Sequence, residues 1–354
     1  MVMHFAPVIK IFSRCDRICH SLGVYWPSKI ITGGDKMSQF TSTEDFPTNQ
    51  AAFDARFNTE EACQAYLFKM RWPDGFICTR CGNKRHWKSS RGLYICYRCE
   101  HQHSVTAGTI MAGTRKPLVA WFKAMWWFTT RKSGVNAINL QDLLGLGSYH
   151  TAWRWLQKLR SCTIRQNREK LSGKVEADEF YLGGEHGGGK RGRGAEHKCA
   201  VAIAVERREH KLGRIRLQLI DDCSSGQLLP FVCGNVSKGS AVTTDGWKSY
   251  NELGTEGYIH RKIVKSKAAE KESILSGAHL VISLIKRLMI GTFQGRFEKK
   301  YLQRYLDEYV FRFNRRTTAS VGKRFFRIVH QAVTTQALPK KQIMLGVPSL
   351  GLAN

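Results

Sequence analysis

The sequence lacks an apolar run long enough to cross a membrane, and it is poor in acidic residues. Its longest apolar stretches are broken by Lys123 or by Lys286 and Arg287, whereas a spanning helix needs about 20 apolar residues in succession. The 28 Asp and Glu residues stand against 56 Lys and Arg residues, which gives a formal net charge of +28. Such an excess favours a polyanionic partner, with nucleic acid ahead of a membrane surface. We therefore expect a soluble protein that binds nucleic acid and no membrane.

The sequence also lacks the marks of secretion. Residues 1–36 have no charged start followed by an apolar centre and a small-residue cleavage site. Met37 opens a second candidate start, so residues 1–53 are predicted to be a poorly ordered leader or a mis-assigned beginning. The eleven cysteines are odd in number and mostly scattered, which does not suggest a disulfide framework. A reducing cytoplasm, with the protein associated with the nucleoid, is the expected location.

Four cysteines form one spaced cluster. Cys78 and Cys81 make one C-x2-C pair, Cys96 and Cys99 make another, and fourteen residues separate the pairs. Each pair can place two thiolates on one tetrahedral ion, and the intervening residues are enough for a hairpin. Four thiolates leave no open coordination position, so the predicted zinc ion is structural. The alternative is a set of free or disulfide-bonded cysteines.

The residues around this cluster are basic and aromatic, as a nucleic-acid contact requires. The basic residues are Lys84, Arg85, Lys88, Arg91 and Arg98, and the aromatic residues are Trp87 and Tyr94. Three histidines are also close in sequence but are not needed as zinc ligands, so we expect them at the surface or facing phosphates. They are His86, His101 and His103.

The next segment has the pattern of a helix-turn-helix. A helix is predicted from Pro117 and ends before Gly134, and the stretch NLQDLLGLGSYHTAWRWLQKLRS then gives two helices around a glycine turn, with Ser148 as the N-cap. In such motifs the start of the second helix faces the bases. The candidate reading residues are Tyr149, His150 and Arg154. The alternative is a helical pair that serves packing alone.

From residue 174 the period changes to that of strands. GKVEADEFYLGG, KCAVAIAVER and RIRLQLIDD predict three successive strands, GQLLPFVCGNV a helix, and AVTTDGW a short strand that ends at Asp245, followed by a basic connecting region before the helix of His279. This order resembles the ribonuclease-H-like fold, in which acidic residues of the first strand, the fourth strand and a later helix surround catalytic metal. The resemblance implies Asp178, Asp245 and His279 at those places. Glu176, Glu270 and Glu272 remain alternatives for a missing acid, whereas Asp221 and Asp222 are expected to end a strand.

Several stretches together resemble the zinc-ribbon insertion-sequence transposases of the ISXO type, bacterial enzymes of the DDE superfamily. They are FNTEEACQAYLFKMRWPDGFICTRCGN, VEADEFYLGG, TDGWKSY, HLVISLIKRLMIGTFQG and YLQRYLDEYVFRFNRR, and the resemblance extends over most of the chain from about residue 54. It implies catalytic Asp178, Asp245, His279 and Lys286, with Mg²⁺ or Mn²⁺ held by the two aspartates. It also implies metal-dependent strand cleavage and strand transfer by a homo-oligomer on double-stranded DNA.

His279 is the departure from a triad of three acids, because an imidazole is a poorer magnesium ligand than a carboxylate. His279 and Lys286 are seven residues apart, so on a helix they project within about 20° of each other. The alternative to a catalytic pair is a solvated stripe on a core helix. Between the first two strands lies the glycine-rich, basic stretch GGEHGGGKRGRGAEHK, which is interpreted either as a phosphate-gripping hairpin or as a solvated loop. Its candidate DNA-binding residues are Lys190, Arg191 and Arg193.

The 354 residues, 42% of them hydrophobic and 11% aromatic, are enough for several cores. The fold class is predicted to be α+β and multidomain. The predicted parts are the leader at 1–53, a zinc ribbon at 54–110, a helix-turn-helix-like segment at 111–168, a ribonuclease-H-like domain at 169–335 and a tail at 336–354. Two rival functions stay open, a catalytically decayed DNA-binding regulator derived from a transposase and an RNA-binding or RNA-processing protein of the same fold.

Overall fold

A computed structural model of the chain describes residues 46–165, 168–183, 198–209, 211–263, 275–295 and 297–346. Within these residues no helix is both long and apolar enough to cross a membrane. The chain divides into two compact units. One lies within residues 170–281, and the other lies within residues 43–169 and 282–348.

The second unit begins with two helices and a small sheet. Helices α1 (Gln50–Arg56) and α2 (Glu60–Arg71) precede strands β1 (His86–Lys88), β2 (Tyr94–Cys96) and β3 (Gln102–His103). The three strands form an antiparallel sheet in the order β1-β2-β3. The predicted hairpin is therefore present, with a third strand added. The boundary predicted at residue 53 falls inside α1, where Phe53 is fully buried.

Three helices follow, α3 (Leu118–Thr130), α4 (Ala137–Leu144) and α5 (Tyr149–Ser161). The carboxylate of Glu60 accepts hydrogen bonds from the first backbone N–H groups of α3, the shortest at 2.7 Å from Leu118. Gly145 ends α4 with φ 56°, a left-handed conformation that favours glycine. Ser148 occupies the N-cap position of α5. The two helices and the glycine turn predicted from the sequence are confirmed.

The first unit contains a five-stranded sheet. Its strands are β4 (Lys174–Leu182), β5 (Cys199–Arg208), β6 (Lys211–Ile220), β7 (Ala241–Thr244) and β8 (Ile259–Lys262), in the order β6-β5-β4-β7-β8. The first three are antiparallel, whereas β4, β7 and β8 are parallel neighbours. Helix α6 (Ser225–Asn235) and a 3₁₀ helix (Lys248–Leu253) lie before and after β7. This is the strand arrangement of the ribonuclease-H-like fold, so the predicted α+β class is confirmed.

One feature of this sheet differs from the sequence prediction. The residues after Asp245 were assigned to a basic connecting region, but they form the 3₁₀ helix and β8. Strand β8 has the sequence IHRK and is mostly exposed. A four-residue edge strand with one apolar residue has no alternation to detect. The prediction of a plain connection was therefore wrong.

Strand β4 is buried on both faces. Val175 and Ala177 belong to one apolar cluster with Leu228 of α6 and Tyr250 of the 3₁₀ helix. The opposite face of β4 carries Glu176 and Asp178, by the alternation of side chains along a strand. The apolar face with Val175 and Ala177 fixes the register of β4. The register in turn decides that Asp178 points to the opposite face.

Helix α7 (Ser276–Gly291) follows, and the boundary between the two units falls within it after Val281. Its buried residues Ala278, Val281, Ile285 and Met289 recur at three and four residues, while His279 and Lys286 are exposed. The predicted amphipathic helix is therefore present, and both polar residues lie on its exposed side.

The second unit ends with helices α8 (Lys299–Phe313), α9 (Val321–Thr334) and α10 (Lys340–Leu345). Its core contains rings of Phe53, Phe57, Trp126 and Phe325 in mutual contact. A buried ion pair also joins Arg160 of α5 to Glu308 of α8 at 2.8 Å. Arg312 also pairs with Glu308 at 2.8 Å, so the carboxylate of Glu308 joins two arginines.

Candidate active site and zinc centre

The four cysteines predicted as zinc ligands lie together. Their Sγ atoms are all within 4.8 Å of one another, with Cys78 and Cys99 at 3.6 Å and Cys81 and Cys96 at 3.5 Å. Sulfur atoms held at about 2.3 Å from one zinc ion in a tetrahedron lie about 3.8 Å apart. The cluster therefore fits a zinc ion with four thiolate ligands, and the predicted structural zinc centre is supported.

Hydrogen-bond donors surround these sulfur atoms. The backbone N–H of Arg98 donates to Cys96 Sγ at 3.4 Å and the Asn83 amide donates to it at 3.6 Å. Burial raises the pKa of the Cys96 thiol, but the N–H donors outweigh burial and lower the pKa to about 6. Donors that favour a thiolate make a sulfur atom a better metal ligand.

One histidine contacts a predicted zinc ligand, which differs from the expectation from the sequence. His103 was expected at the surface or facing phosphates, but it is 6% exposed and its Nε2 lies 3.4 Å from Cys78 Sγ. The pairing of β3 with β2, with Tyr94 opposite His103, brings the ring inward. Residue spacing alone gave no sign of β3, so the position of this ring was not predictable.

The outer surface of the ribbon carries a pair of exposed rings. Trp87 and Tyr97 are 37% and 55% exposed, with ring centroids 5.0 Å apart, and the guanidinium carbon of Arg85 lies 4.9 Å from the Tyr97 centroid. Tyr94, which the sequence analysis assigned to this surface, is buried inside the ribbon instead. Aromatic faces beside arginine suit stacking against nucleobases.

Asp178 and Asp245 come from neighbouring parallel strands. Asp178 lies in β4, Asp245 directly follows β7, and Glu176 of β4 is opposite Thr243 of β7. Continuing this register by two residues places Asp178 beside Asp245 on the same face of the sheet. The structure therefore brings the two predicted catalytic aspartates together.

Backbone donors orient both carboxylates. The N–H of Glu179 donates to Asp178 Oδ1 at 2.9 Å, and the N–H of Trp247 donates to Asp245 Oδ1 at 3.0 Å. Asp178 is buried, whereas Asp245 is exposed. One carboxylate is thus fixed within the sheet, and the other is accessible at the carboxyl end of β7.

The third predicted residue, His279 of α7, approaches the first aspartate. Its Nε2 lies 3.4 Å from Asp178 Oδ2, and its side chain is half-exposed. The sheet and the first turn of α7 therefore bring together the three residues that the sequence analysis placed in one site.

The pKa of the buried Tyr250 hydroxyl is affected by the negative charge of this region. Burial raises the pKa of Tyr250 well above its usual value, and the charges of Glu179, Asp178 and Asp245 raise it further. The Tyr250 hydroxyl donates to Glu179 Oε2 at 3.1 Å. The negative charge of Asp178 and Asp245 therefore reaches Tyr250 within a chain of net charge +28, and the hard oxygen ligands of these two aspartates suit a divalent cation.

Two other acids considered in the sequence analysis have different surroundings. Glu176 contacts α7 and Arg207. Asp222 accepts a hydrogen bond from the backbone N–H of Ser224 at 2.8 Å, just after the end of β6, as expected for a residue that ends a strand. Glu270 and Glu272 lie outside the described residues.

The predicted DNA-binding residues are described only in part. Tyr149 and His150 are exposed in the first turn of α5, whereas Arg154 is half-buried and its Nε donates to the His150 carbonyl at 3.0 Å. Lys190, Arg191 and Arg193 lie outside the described residues. The contact of these side chains with DNA stays a prediction.

Comparison with known proteins identifies the class. The five-stranded sheet with its carboxylates is a transposase domain of the DDE superfamily, because residues 170–314 match the family model of the ISXO2-like transposase domain. Residues 58–102 match the transposase zinc-ribbon domain. Both matched domains are domains of ISXO-type transposases, so the resemblance found in the sequence is confirmed over these two ranges.

Other comparisons add little. Among curated proteins none matches the chain. A solved structure titled as a simian T-cell lymphotropic virus intasome in complex with PP2A regulatory subunit B56 gamma is 10% identical, with a TM-score of 0.28 over 60% of this chain and 74% of that chain. A likeness at that TM-score carries no conclusion for this chain.

Proposed function

We propose that this chain is an active transposase that binds the ends of an insertion sequence, cleaves DNA strands there and joins them to target DNA. The observation that carries this proposal is the contact of His279 Nε2 with Asp178 Oδ2 at 3.4 Å, on a strand face where the β4–β7 register, continued by two residues, would set Asp178 beside Asp245. Phosphoryl transfer requires such a site to position its reactants and to offset developing charge.

Asp178 and Asp245 are the residues that would hold Mg²⁺ or Mn²⁺. Their carboxylate oxygens are hard ligands, and a backbone N–H group fixes Oδ1 of each carboxylate. A divalent ion bound there supplies Lewis-acid stabilisation of phosphoryl charge and makes an attacking water more acidic.

His279 has a separate task in this proposal. Its Nε2 contacts Asp178 Oδ2, so the ring holds that carboxylate and is placed to exchange a proton with an attacking water or 3′-hydroxyl. The histidine thereby replaces a metal-binding acid with a group suited to proton transfer.

Duplex DNA is the proposed partner. The exposed pair Trp87 and Tyr97, with Arg85 beside it, supplies ring faces and charge on the ribbon. Tyr149 and His150 are exposed at the start of α5, where a helix-turn-helix reads bases. Lys286 is assigned to a phosphate of the cut strand, and a homo-oligomer on DNA is expected because both ends of an element must be brought together.

The rival function is a DNA-binding regulator whose catalytic domain has decayed. Decay would place no constraint on Asp178, Asp245 and Lys286, yet the sequence carries all three. Their presence favours the enzyme. An RNA-processing role is distinguished by the substrate that is cut.

The test is strand cleavage of labelled duplex DNA carrying the inverted repeats that flank the coding region, in Mg²⁺ and in Mn²⁺, with RNA of the same sequence in parallel. Asp178→Asn and Asp245→Asn should bind these ends but lose more than about 100-fold in cleavage, because each loses a metal ligand and no basic contact. Asp222→Asn is the matched control, since Asp222 accepts the same type of i+2 backbone bond as Asp245.

The outcomes separate the candidates. Cleavage by the wild type and by Asp222→Asn, but by neither other variant, supports the proposal. Binding without cleavage in either metal would identify the regulator, and cleavage of RNA alone the processing enzyme. Near-normal cleavage by Asp245→Asn would remove that residue from the site.

A further inference from the structure

Glu176 lies two residues before Asp178 in β4, so both side chains are on the same face of the strand. We propose that Glu176 is a positioning residue that docks the first turn of α7 and thereby sets His279 against Asp178. This inference rests on the proposed function of His279. It assigns to Glu176 a task different from that of the missing metal ligand considered in the sequence analysis.

Both carboxylate oxygens of Glu176 are engaged. Oε2 accepts a hydrogen bond from the backbone N–H of Ala278 at 2.8 Å, and Oε1 lies 3.3 Å from Arg207 Nε. The first N–H groups of a helix have no partner within the helix, and a carboxylate there is favoured by the helix dipole. Glu176 is 8% exposed, so the contact is shielded from competing water.

The spacing on the strand matches the spacing on the helix. Glu176 binds the backbone of Ala278, and Asp178 contacts the side chain of the next residue, His279. Two successive positions on one strand face therefore hold two successive residues of α7. A shift of the first contact would move His279 relative to Asp178.

Gly277 makes this approach possible. A Cβ atom at this position would lie 2.9 Å from Glu176 Oε2, 2.8 Å from Arg207 Nη1 and 2.8 Å from Leu212 Cδ2. All three neighbours are ends of side chains and each can move. However, the carboxylate that would have to move is the one that accepts the Ala278 N–H. An alanine at 277 is therefore expected to break the docking contact directly.

The first measurement is amide hydrogen exchange of the full chain without metal or DNA. Glu176→Ala and Gly277→Ala should speed exchange at the start of α7 by about fivefold or more, the scale of losing a helix cap. Glu176→Gln keeps an acceptor oxygen and should restore part of the protection. The control is Glu206→Ala, because Glu206 is also a buried glutamate in a neighbouring strand but is engaged by Arg208 and Arg214.

The second measurement is a double-mutant cycle on strand cleavage. Glu176→Ala should lower the cleavage rate about tenfold with DNA-end binding unchanged, and it should have no further effect once His279 is alanine, because both changes remove one function. Glu206→Ala, which lies outside this contact, should change cleavage by the same factor in both backgrounds. Melting curves of each variant show whether it folds.

Additive effects of Glu176→Ala and His279→Ala on cleavage would overturn the proposal, as would unchanged exchange at the start of α7 in both docking variants. If His279→Ala alone cuts at the wild-type rate, the proposed role of His279 fails. The exchange data then still decide whether Glu176 docks the helix.

Discussion

The zinc centre and the carboxylate site collect their residues over very different lengths of chain. Four cysteines between residues 78 and 99 form the zinc centre, whereas the carboxylate site takes residues 178, 245 and 279 from two strands and a helix. The ribbon sheet is small, and its centre suits a metal that holds it together. The five-stranded sheet has its own core and positions the carboxylates by backbone hydrogen bonds. One site is expected to need its metal to fold, and the other to need its fold to bind metal.

The largest effect that would test this difference is zinc removal. Structural zinc supplies about 10–16 kcal/mol to small zinc-finger peptides at neutral pH, so a zinc chelator should unfold residues 76–103 and weaken binding to DNA ends without added magnesium. Amide exchange should show strands β1–β3 exposed while β4–β6 stay protected. Cys78→Ser should act like the chelator, and Cys233→Ser should not. Equal loss of amide protection in strands β1–β3 and β4–β6 would contradict this difference between the two sites.

A smaller effect is expected at His279. His279→Ala should retain DNA binding and lose about 10–100-fold in cleavage, the range for a group that orients a metal-site residue. His279→Glu is expected to retain or raise activity in Mg²⁺, because it restores an oxygen ligand. Ile290→Ala, an exposed change on the same helix, is the control. If His279→Ala cut at the wild-type rate, the ring would be ordinary surface.

The two compact units should respond in opposite directions to pH. Burial raises the pKa of Asp307 in the second unit to about 6, against the lowering effects of Gln303, Arg168 and Arg304. The folded state then binds more protons than the unfolded state, so the stability of this unit should fall by about 2 kcal/mol as pH rises from about 4 to about 6. In Asp307→Asn the midpoint of thermal unfolding should no longer fall over this pH range.

In the first unit, stability is expected to change with pH in the opposite direction. Burial raises the pKa of Glu206, but hydrogen bonds and charge from Arg214, together with the charge of Arg208, lower it to about 2. Its stabilisation is therefore complete above about pH 4.5 and lost as pH falls toward about 2. The check is the midpoint of thermal unfolding of the wild type and of Glu206→Gln, measured over this pH range. A difference between the two midpoints that does not change with pH would contradict the prediction.

The smallest effect concerns Lys286. If it contacts a phosphate beside the cut, Lys286→Ala should lower activity on every end sequence alike and reduce the salt slope of binding by at most about one, since one counterion is released. Lys341→Ala, an exposed lysine of α10, serves as the control. A wild-type slope and rate for Lys286→Ala would favour the solvated stripe.

Residues that determine local structure are predictable from the sequence when the pattern lies within a short stretch of chain. The C-x2-C pairs gave the zinc ligands, and alternation gave β4 to β6, because both signals lie within a few residues of chain. The pairing of Asp178 with Asp245 depends on the register between β4 and β7, which no local pattern shows. It was reached through resemblance to a fold.

The failures have the same origin. Tyr94 and Tyr97 are three residues apart in one basic stretch, and the inward side of β2 decides that Tyr94 is buried while Tyr97 is exposed. His103 was expected at the surface or facing phosphates, but the pairing of β3 with β2 turns its ring toward Cys78. The burial and the contacts of these side chains therefore depend on pairing between distant parts of the chain, which residue type and spacing do not show.

The sulfur positions in the ribbon have a further consequence for redox chemistry. Cys78 lies 3.6 Å from Cys99 and Cys81 lies 3.5 Å from Cys96, so each thiol already has one partner at short range. Bound zinc keeps these sulfur atoms from reacting with each other, but a ribbon that has lost its metal in an oxidising solution is expected to form disulfide bridges among these four cysteines. Those bridges would close the site to zinc until a reductant opens them. Oxidation would thereby convert a reversible loss of metal into a lasting loss of the ribbon.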